Sequence, residues 1–309
     1  MVSMFYTYED VIRLTKIFSD IPSDVSDELR GWNWNQYPLL PPSRTQVSVS
    51  EVLGGFCDSQ RFVYVKRVLK EKQTYVPKLS EGILIHRVFG EALASAKSLI
   101  LQLNNNSSDF RYKFMRELAL KKHVISNGIR LENRKIERIS RLLWEFAADV
   151  YSATYNKVIF SSYYLSADGI VGKVIPMISE FPLDGTYLGF SSNIRADAFI
   201  PPNILIEIKT RTYKHQHKLQ LAAYAMVLES LYRIPINHSI ILYAYFDGKQ
   251  FHFNEKIVAI SDNLRSEVIE KRDLALKVID EHYDPGFPDK CDRYCPYLEV
   301  CGVGEDSIS

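Results

Sequence analysis

The chain is short of cysteine, of long apolar runs and of net charge, and each shortage narrows what it can be. Its 309 residues include only 4 Cys, too few and too unevenly spread for the disulfide framework of a small secreted domain. Met1 to Asp20 mixes acidic and basic residues with apolar ones, so neither a signal peptide nor a membrane span is expected. These absences suit a cytoplasmic protein whose thiols stay reduced, where cysteine serves as a metal ligand or an inert core residue. A formal net charge of +1 leaves room only for a regional basic surface.

What is present is the composition of a globular protein, 46% hydrophobic and 24% charged, with length enough for one large or two modest domains. No internal repeat is visible, and no linker divides the chain into independent parts. We read residues 1–47 as an N-terminal extension and 48–309 as one domain.

The first half patterns as helix. Residues 5–18 form a first helix, and the Trp- and Pro-rich stretch Gly31 to Pro42 is irregular. Ser48 or Ser50 can cap a helix carrying Val52, Leu53 and Phe56, and Arg61 to Lys72 spaces Phe62, Val65 and Leu69 on one face. Ser80 to Leu103 is a longer helix containing His86, broken by Asn104 to Ser108, and Asn133 to about Tyr155 is another.

Beyond it the period shortens. Strand-like segments fall around Val171 to Glu180, Thr186 to Phe190, Asp197 to Ile200 and Ile204 to Ile208. Tyr213 to Tyr232 returns to helix. Ser239 to Phe246 and Gln250 to Phe253 flank an Asp247-Gly248 hairpin turn, and Ser261 to Tyr283 is a final amphipathic helix.

The chemistry concentrates where the period shortens. Asp197 and Glu207 fall on successive strands, and alternation puts Glu207 and Lys209 on one sheet face with Ile208 behind them. Hard oxygen ligands of this kind suit Mg²⁺ or Mn²⁺, which activate water and neutralise a phosphodiester. The Ile208 carbonyl is a further oxygen, and Lys209 would steady developing negative charge. Gln220 and Tyr224 lie one helical turn apart and can reach the same water or phosphate.

Each piece alone is weak, since Glu-x-Lys recurs by chance and a surface ion pair on an edge strand is the bland alternative. The joint order carries the reading. His86 could add an imidazole ligand, although a lone helical histidine is more often structural.

Residues 111–141 are rich in Lys and Arg. We take Lys121, Lys122, Arg134 and Arg138 as a candidate track for a nucleic-acid backbone, with a solvated helix face as the competing reading. Cys291, Cys295 and Cys301 cluster near the C-terminus, and Cys57 is the only further cysteine. Three close thiolates plus a distant one suit a cubane iron–sulfur cluster; a Cys₄ zinc site and unligated thiols are the alternatives.

Taken in order, His86, Arg195-Ala-Asp197, Glu207-Ile-Lys209 and Gln220-Leu-Ala-Ala-Tyr224, bracketed by Cys57 and the three C-terminal cysteines, closely resemble the RecB-like iron–sulfur nucleases associated with CRISPR loci, of the PD-(D/E)xK superfamily. Glu180-Phe-Pro-Leu-Asp-Gly185 adds to the match. Leu29 to Asn33 and Pro38 to Pro42 resemble the longer archaeal variant. The resemblance implies an α/β fold of restriction-endonuclease type, with a central mixed sheet flanked by helices, a helical N-terminal part and a Cys-rich C-terminal segment.

It also implies roles. His86, Asp197, Glu207 and the Ile208 carbonyl would bind Mg²⁺ or Mn²⁺, Lys209 would support catalysis, and Gln220 and Tyr224 would touch substrate or water. Cys57, Cys291, Cys295 and Cys301 would hold a [4Fe–4S] cluster. The first C-terminal gap of three residues departs from the commoner two, which keeps [2Fe–2S] and zinc open. The implied activity is metal-dependent DNA cleavage, commonly exonucleolytic on single strands, beside the CRISPR integrase that takes up new spacers. A non-catalytic DNA-end-binding subunit with a structural or redox-sensing cluster is the alternative; an intact Asp197, Glu207 and Lys209 set disfavours it.

Overall fold

The computed structural model describes residues 4–103, 109–161, 164–210 and 212–302, so the expected break at Asn104 to Ser108 lies outside the described residues. Five strands form one sheet in the order β1-β2-β3-β4-β5: β1 (Ile178–Leu183), β2 (Ile194–Ile200), β3 (Ile204–Lys209), β4 (His238–Phe246) and β5 (Phe251–Ala259). All neighbours are antiparallel except β3 and β4, which run parallel. A parallel neighbour needs a crossover, supplied by α8 (Gln216–Tyr232). The mixed sheet flanked by helices is the expected α/β architecture.

Both sheet faces are covered. On one, Ile204, Ile206 and Ile208 join Ile240 and Leu242 beneath α1 (Tyr8–Asp20), α4 (Pro77–Gln102), α5 (Phe110–Ser126), α6 (Asn133–Ser161) and α7 (Ala167–Val174). On the other, Leu205, Ile241 and Val258 pack with α2 (Val49–Leu53), α8 and α9 (Asp262–Asp280). Side chains such as Leu84, Val88 and Ile240 are fully buried, each contributing about 1.5–3 kcal/mol.

The N-terminal residues are built into this body. Phe5 lies 5.6 Å from the Phe89 ring, and Glu255 on β5 accepts from Tyr6 Oη at 2.8 Å and from Arg13 Nη1 at 2.8 Å. Gly31 donates its N–H to Glu229 on α8 at 2.9 Å. A Cβ there would come within 1.9 Å of the Met226 carbonyl, so only glycine permits this approach.

Several boundaries differ from the pattern of the sequence. Ser48, rather than Ser50, caps α2: its hydroxyl accepts from Glu51 N at 3.2 Å while Glu51 returns a bond to Ser48 N at 2.9 Å. The helix from Arg61 is α-helical only to Val63 (α3) and continues as a π-helical turn over Tyr64–Val68. That wider turn rotates Leu69 to 46% exposure while Phe62 and Val65 stay buried.

Val171 to Val174 is helix, not strand, because Ser166 caps α7 through Gly169 N at 3.2 Å and Ile170 and Val174 face the core four residues apart. Thr186–Leu188 is likewise a 3₁₀ turn, held by Asp184 on Thr186 N at 2.9 Å and closed by Gly189 at φ 74°. Helix α5, for which no periodic signal stood out, buries just Phe110, Phe114 and Ile125. Its anchor is aromatic: Phe114 stacks 4.9 Å from Trp144, whose indole N–H donates to the Phe114 carbonyl at 2.8 Å.

Candidate active site

The site begins where β2 and β3 part. Their ladder pairs Ile200 with Ile204, Phe199 with Leu205 and Ala198 with Ile206, then stops. Beyond that point the Asp197 carboxylate replaces the missing strand partner, its Oδ2 accepting from Ile208 N at 2.6 Å. A strand residue presents N–H and C=O on the same edge, so the Ile208 carbonyl faces the same opening.

Strand alternation then sets the face. Glu207 and Lys209 project opposite Ile206 and Ile208, as expected from period two. Lys209 Nζ lies 2.6 Å from Glu207 Oε1 and also donates to Gln220 Oε1 on α8. Tyr224, one turn further along α8, is buried against the same carboxylates. Burial first, then Glu207 and Asp197, push its phenol well above the usual range, so it stays a neutral hydrogen-bond donor.

His86 arrives from α4. Its Nδ1 is 2.9 Å from Asp197 Oδ1, with 29% of the imidazole side chain and 14% of the aspartate side chain open, so the pair sits at a cleft and not in a sealed core. Burial opposes charge on both members, but their mutual attraction prevails: the imidazole is raised from its ordinary pKa, and Asp197 is lowered with help from Lys209 and the Ile208 N–H. Burial and repulsion from Asp197 raise Glu207 to about 7.

A cavity of about 700 Å³ opens beside this group, lined by Gly82, His86, Gly90, Glu91, Glu180 and Arg195 among others. Glu180 and Arg195, which the sequence offers only within the family resemblance and with no role of their own, stand on its wall. Glu180 sits at φ 50°, a left-handed backbone that bends β1 opposite Asp197 and leaves no mark in residue type. Of the basic residues, Lys121 pairs with Glu91 on the cavity wall at 3.0 Å and Lys122 with Glu137 at 2.6 Å, while Arg134 and Arg138 lie exposed one turn apart on α6.

Among the described residues, no three His, Cys, Asp or Glu side chains stand grouped to hold a metal ion; His86, Asp197 and Glu207 are tied into the pairwise contacts above. The donor chemistry nevertheless fits a hard divalent cation. Glu207 Oε2 is buried without a hydrogen-bond partner, an arrangement costly for a carboxylate unless something satisfies it.

Three of the four cysteines, from both ends of the chain, pack into one apolar cluster. Cys57 and Cys301 pack with Phe56, Phe62, Val65, Cys295 and Tyr297 in a small apolar cluster, and none of the four is in a disulfide. Burial, then the neighbouring thiols, push Cys295 up to about 12 and raise Cys291 and Cys301 as well. The neighbouring thiols that help raise Cys291, Cys295 and Cys301 are soft donors suited to a cationic iron or zinc centre, which would relieve that opposition. Around them, Arg61 pairs with Asp284 at 3.0 Å and Thr74 N donates to the Pro296 carbonyl at 2.9 Å.

Comparison with known proteins shows the family of the chain. The profile of a family described as CRISPR-associated exonuclease Csa1 matches residues 4–304. A protein of that name from Saccharolobus solfataricus is 34% identical over 307 residues, covering 96% of this chain and 99% of the relative. Another from Thermoproteus tenax is 28% identical over 286 residues, covering 91% and 92%. No solved structure matches the chain. With a match spanning nearly its whole length, the chain belongs to the Csa1 family of CRISPR-associated exonucleases.

Proposed function

We propose that this protein is a metal-dependent deoxyribonuclease that trims single-stranded DNA from an end during the uptake of new spacers, working beside the CRISPR integrase. The observation that carries the reading is the juxtaposition at the parting of β2 and β3: Glu207 Oε1 lies 2.6 Å from Lys209 Nζ, while Asp197 Oδ2 takes the Ile208 N–H. The relatives are named CRISPR-associated exonucleases, which supports exonucleolytic action here; that the substrate is DNA is part of the proposal.

His86, Asp197, Glu207 and the Ile208 carbonyl would hold Mg²⁺ or Mn²⁺, which supplies charge neutralisation and an acidic bound water. The chain's own groups do the rest. Lys209 donates to the oxygen on which negative charge develops, Gln220 fixes the lysine, and Tyr224 offers a neutral hydroxyl to water or phosphate. Lys121, Lys122, Arg134 and Arg138 would guide the DNA backbone toward the cavity by counterion release.

Cys57, Cys291, Cys295 and Cys301 would hold an iron–sulfur cluster, [4Fe–4S] preferred, that joins the N-terminal helices to the C-terminal segment. End-labelled single-stranded and duplex DNA incubated with Mn²⁺, Mg²⁺ or chelator tests the whole reading. Single strands shortened from an end with metal and intact with chelator are expected. Cleavage unaffected by chelator, or no cleavage of any DNA by protein with its cysteine centre loaded, would refute it.

A further inference from the structure

A row of tyrosines not yet assigned a role runs beside the catalytic lysine. In the parallel register of β3 and β4, Lys209 stands opposite Tyr243. The Tyr243 hydroxyl is 3.1 Å from His217 Nδ1, which fixes the ring on the strand beside Lys209. Tyr213, in the segment leading from β3 into α8, lies 6.4 Å from it between ring centres and is 46% exposed.

Two lysines face these rings. Lys256 Nζ on β5 stands 3.8 Å from the centre of the Tyr213 ring, and Lys218 Nζ on α8 stands 5.9 Å from it. Two positions along β4, on the same face and about 7 Å away at ~3.4 Å per residue, Tyr245 is 54% exposed. Lys78 Nζ lies 5.8 Å from its ring centre and the His252 ring 6.3 Å away.

Two exposed rings, Tyr213 and Tyr245, each accompanied by an ammonium group, with the half-buried Tyr243 between them, match one kind of polymer well. The rings offer stacking surfaces to unpaired bases, and flexible lysines can exchange a ring for a phosphate. A duplex keeps its bases stacked on one another and cannot use such rings. We propose that Tyr213, Tyr243 and Tyr245, with Lys218, Lys256 and Lys78, form a stacking track for single-stranded DNA that leads away from Lys209. The proposal rests on the nuclease reading above and specifies how that site selects its strand.

The test measures binding of a labelled oligodeoxythymidylate and of an abasic oligomer of equal length to the full-length protein in chelator, where cleavage cannot intrude. Tyr213→Leu and Tyr245→Leu should each weaken binding of the oligodeoxythymidylate about tenfold, and leave the abasic oligomer nearly unaffected. Tyr213→Phe and Tyr245→Phe should restore affinity, and with Mn²⁺ the leucine variants should raise KM more than they lower kcat.

Leucine variants that bind the oligodeoxythymidylate like the unmodified protein, or that lose both oligomers equally, would overturn the track. Unmodified protein that binds through these tyrosines yet never cleaves would support the track and sink the nuclease reading instead. Efficient cleavage with an unchanged KM in the leucine variants would sink the track alone.

Discussion

His86 on α4 and Asp197 on β2 meet at 2.9 Å, Nδ1 to Oδ1, so one ion pair joins the helical layer to the sheet where β2 leaves β3. On its other oxygen Asp197 holds the Ile208 N–H at 2.6 Å. One side chain therefore orients the imidazole and keeps the strand opening in shape. Substitutions in this group should separate chemistry from folding.

Lys209→Ala should lower cleavage by about 10²–10³-fold, the effect of removing a preorganised donor from a developing negative charge. Its melting temperature should stay near that of the unmodified protein, because Glu207, already raised to about 7, can take up a proton when its buried lysine partner is lost. Single-turnover cleavage and thermal melting of the same preparation check both halves. A variant that loses activity only by losing its fold would contradict the assignment.

The clasp on Glu255 predicts a pH dependence of stability. Burial opposes ionisation of Glu255, but Arg13 and Tyr6 outweigh it and lower its pKa in the folded chain. A folded pKa below the unfolded value of about 4.3 gives stability that is fully present above that value and lost as pH falls through the folded pKa. Glu255→Gln should therefore melt earlier at neutral pH, with the gap to unmodified protein closing on acidification below pH ~4. A gap constant with pH would mean the carboxylate charge is not what holds the N-terminal segment.

Cys57→Ala should release the link between the N-terminal helices and the C-terminal segment. Protein purified without oxygen is expected to be brown with iron and sulfide. The variant should lose visible absorption, melt earlier and become open to protease around the first helices. Full colour in the variant would exclude Cys57 as a ligand, and stoichiometric zinc without colour would favour the Cys₄ alternative.

Glu229 is a purely structural charge. It is wholly buried and accepts from Arg265 Nη1 at 2.7 Å, Arg30 Nη1 at 2.9 Å and Gly31 N at 2.9 Å. Glu229→Leu strands two guanidinium groups and should cost about 3–5 kcal/mol, read by denaturant unfolding. DNA cleavage per folded molecule should persist at low temperature. A small stability loss would mean water reaches the arginines.

The candidate site was legible because its chemistry rides on period-two alternation: Ile-Leu-Ile-Glu-Ile-Lys puts Glu207 and Lys209 on one face whatever the rest of the chain does. The helix between β3 and β4 accounts for their parallel pairing, whereas the order of the five strands is not written in the sequence pattern. Less legible were features decided by single side-chain bonds, such as the Ser166 cap that turns Val171 to Val174 into helix. Helix α5 escaped because two stacked phenylalanines replace an apolar stripe. The cavity wall at Glu180 depends on one left-handed backbone angle, and the partners of Lys121 and Lys122 on tertiary neighbours.

The central claim, that the group around Asp197 cuts DNA, is tested most directly by following an end-labelled single strand with Mn²⁺ in unmodified protein and in Asp197→Ala, with melting and visible absorption measured on both. The account predicts a variant that keeps its colour, remains folded at the assay temperature and binds DNA, yet cleaves at least about a hundredfold more slowly. A well-folded Asp197→Ala protein that shortens the strand at nearly the unmodified rate would contradict it.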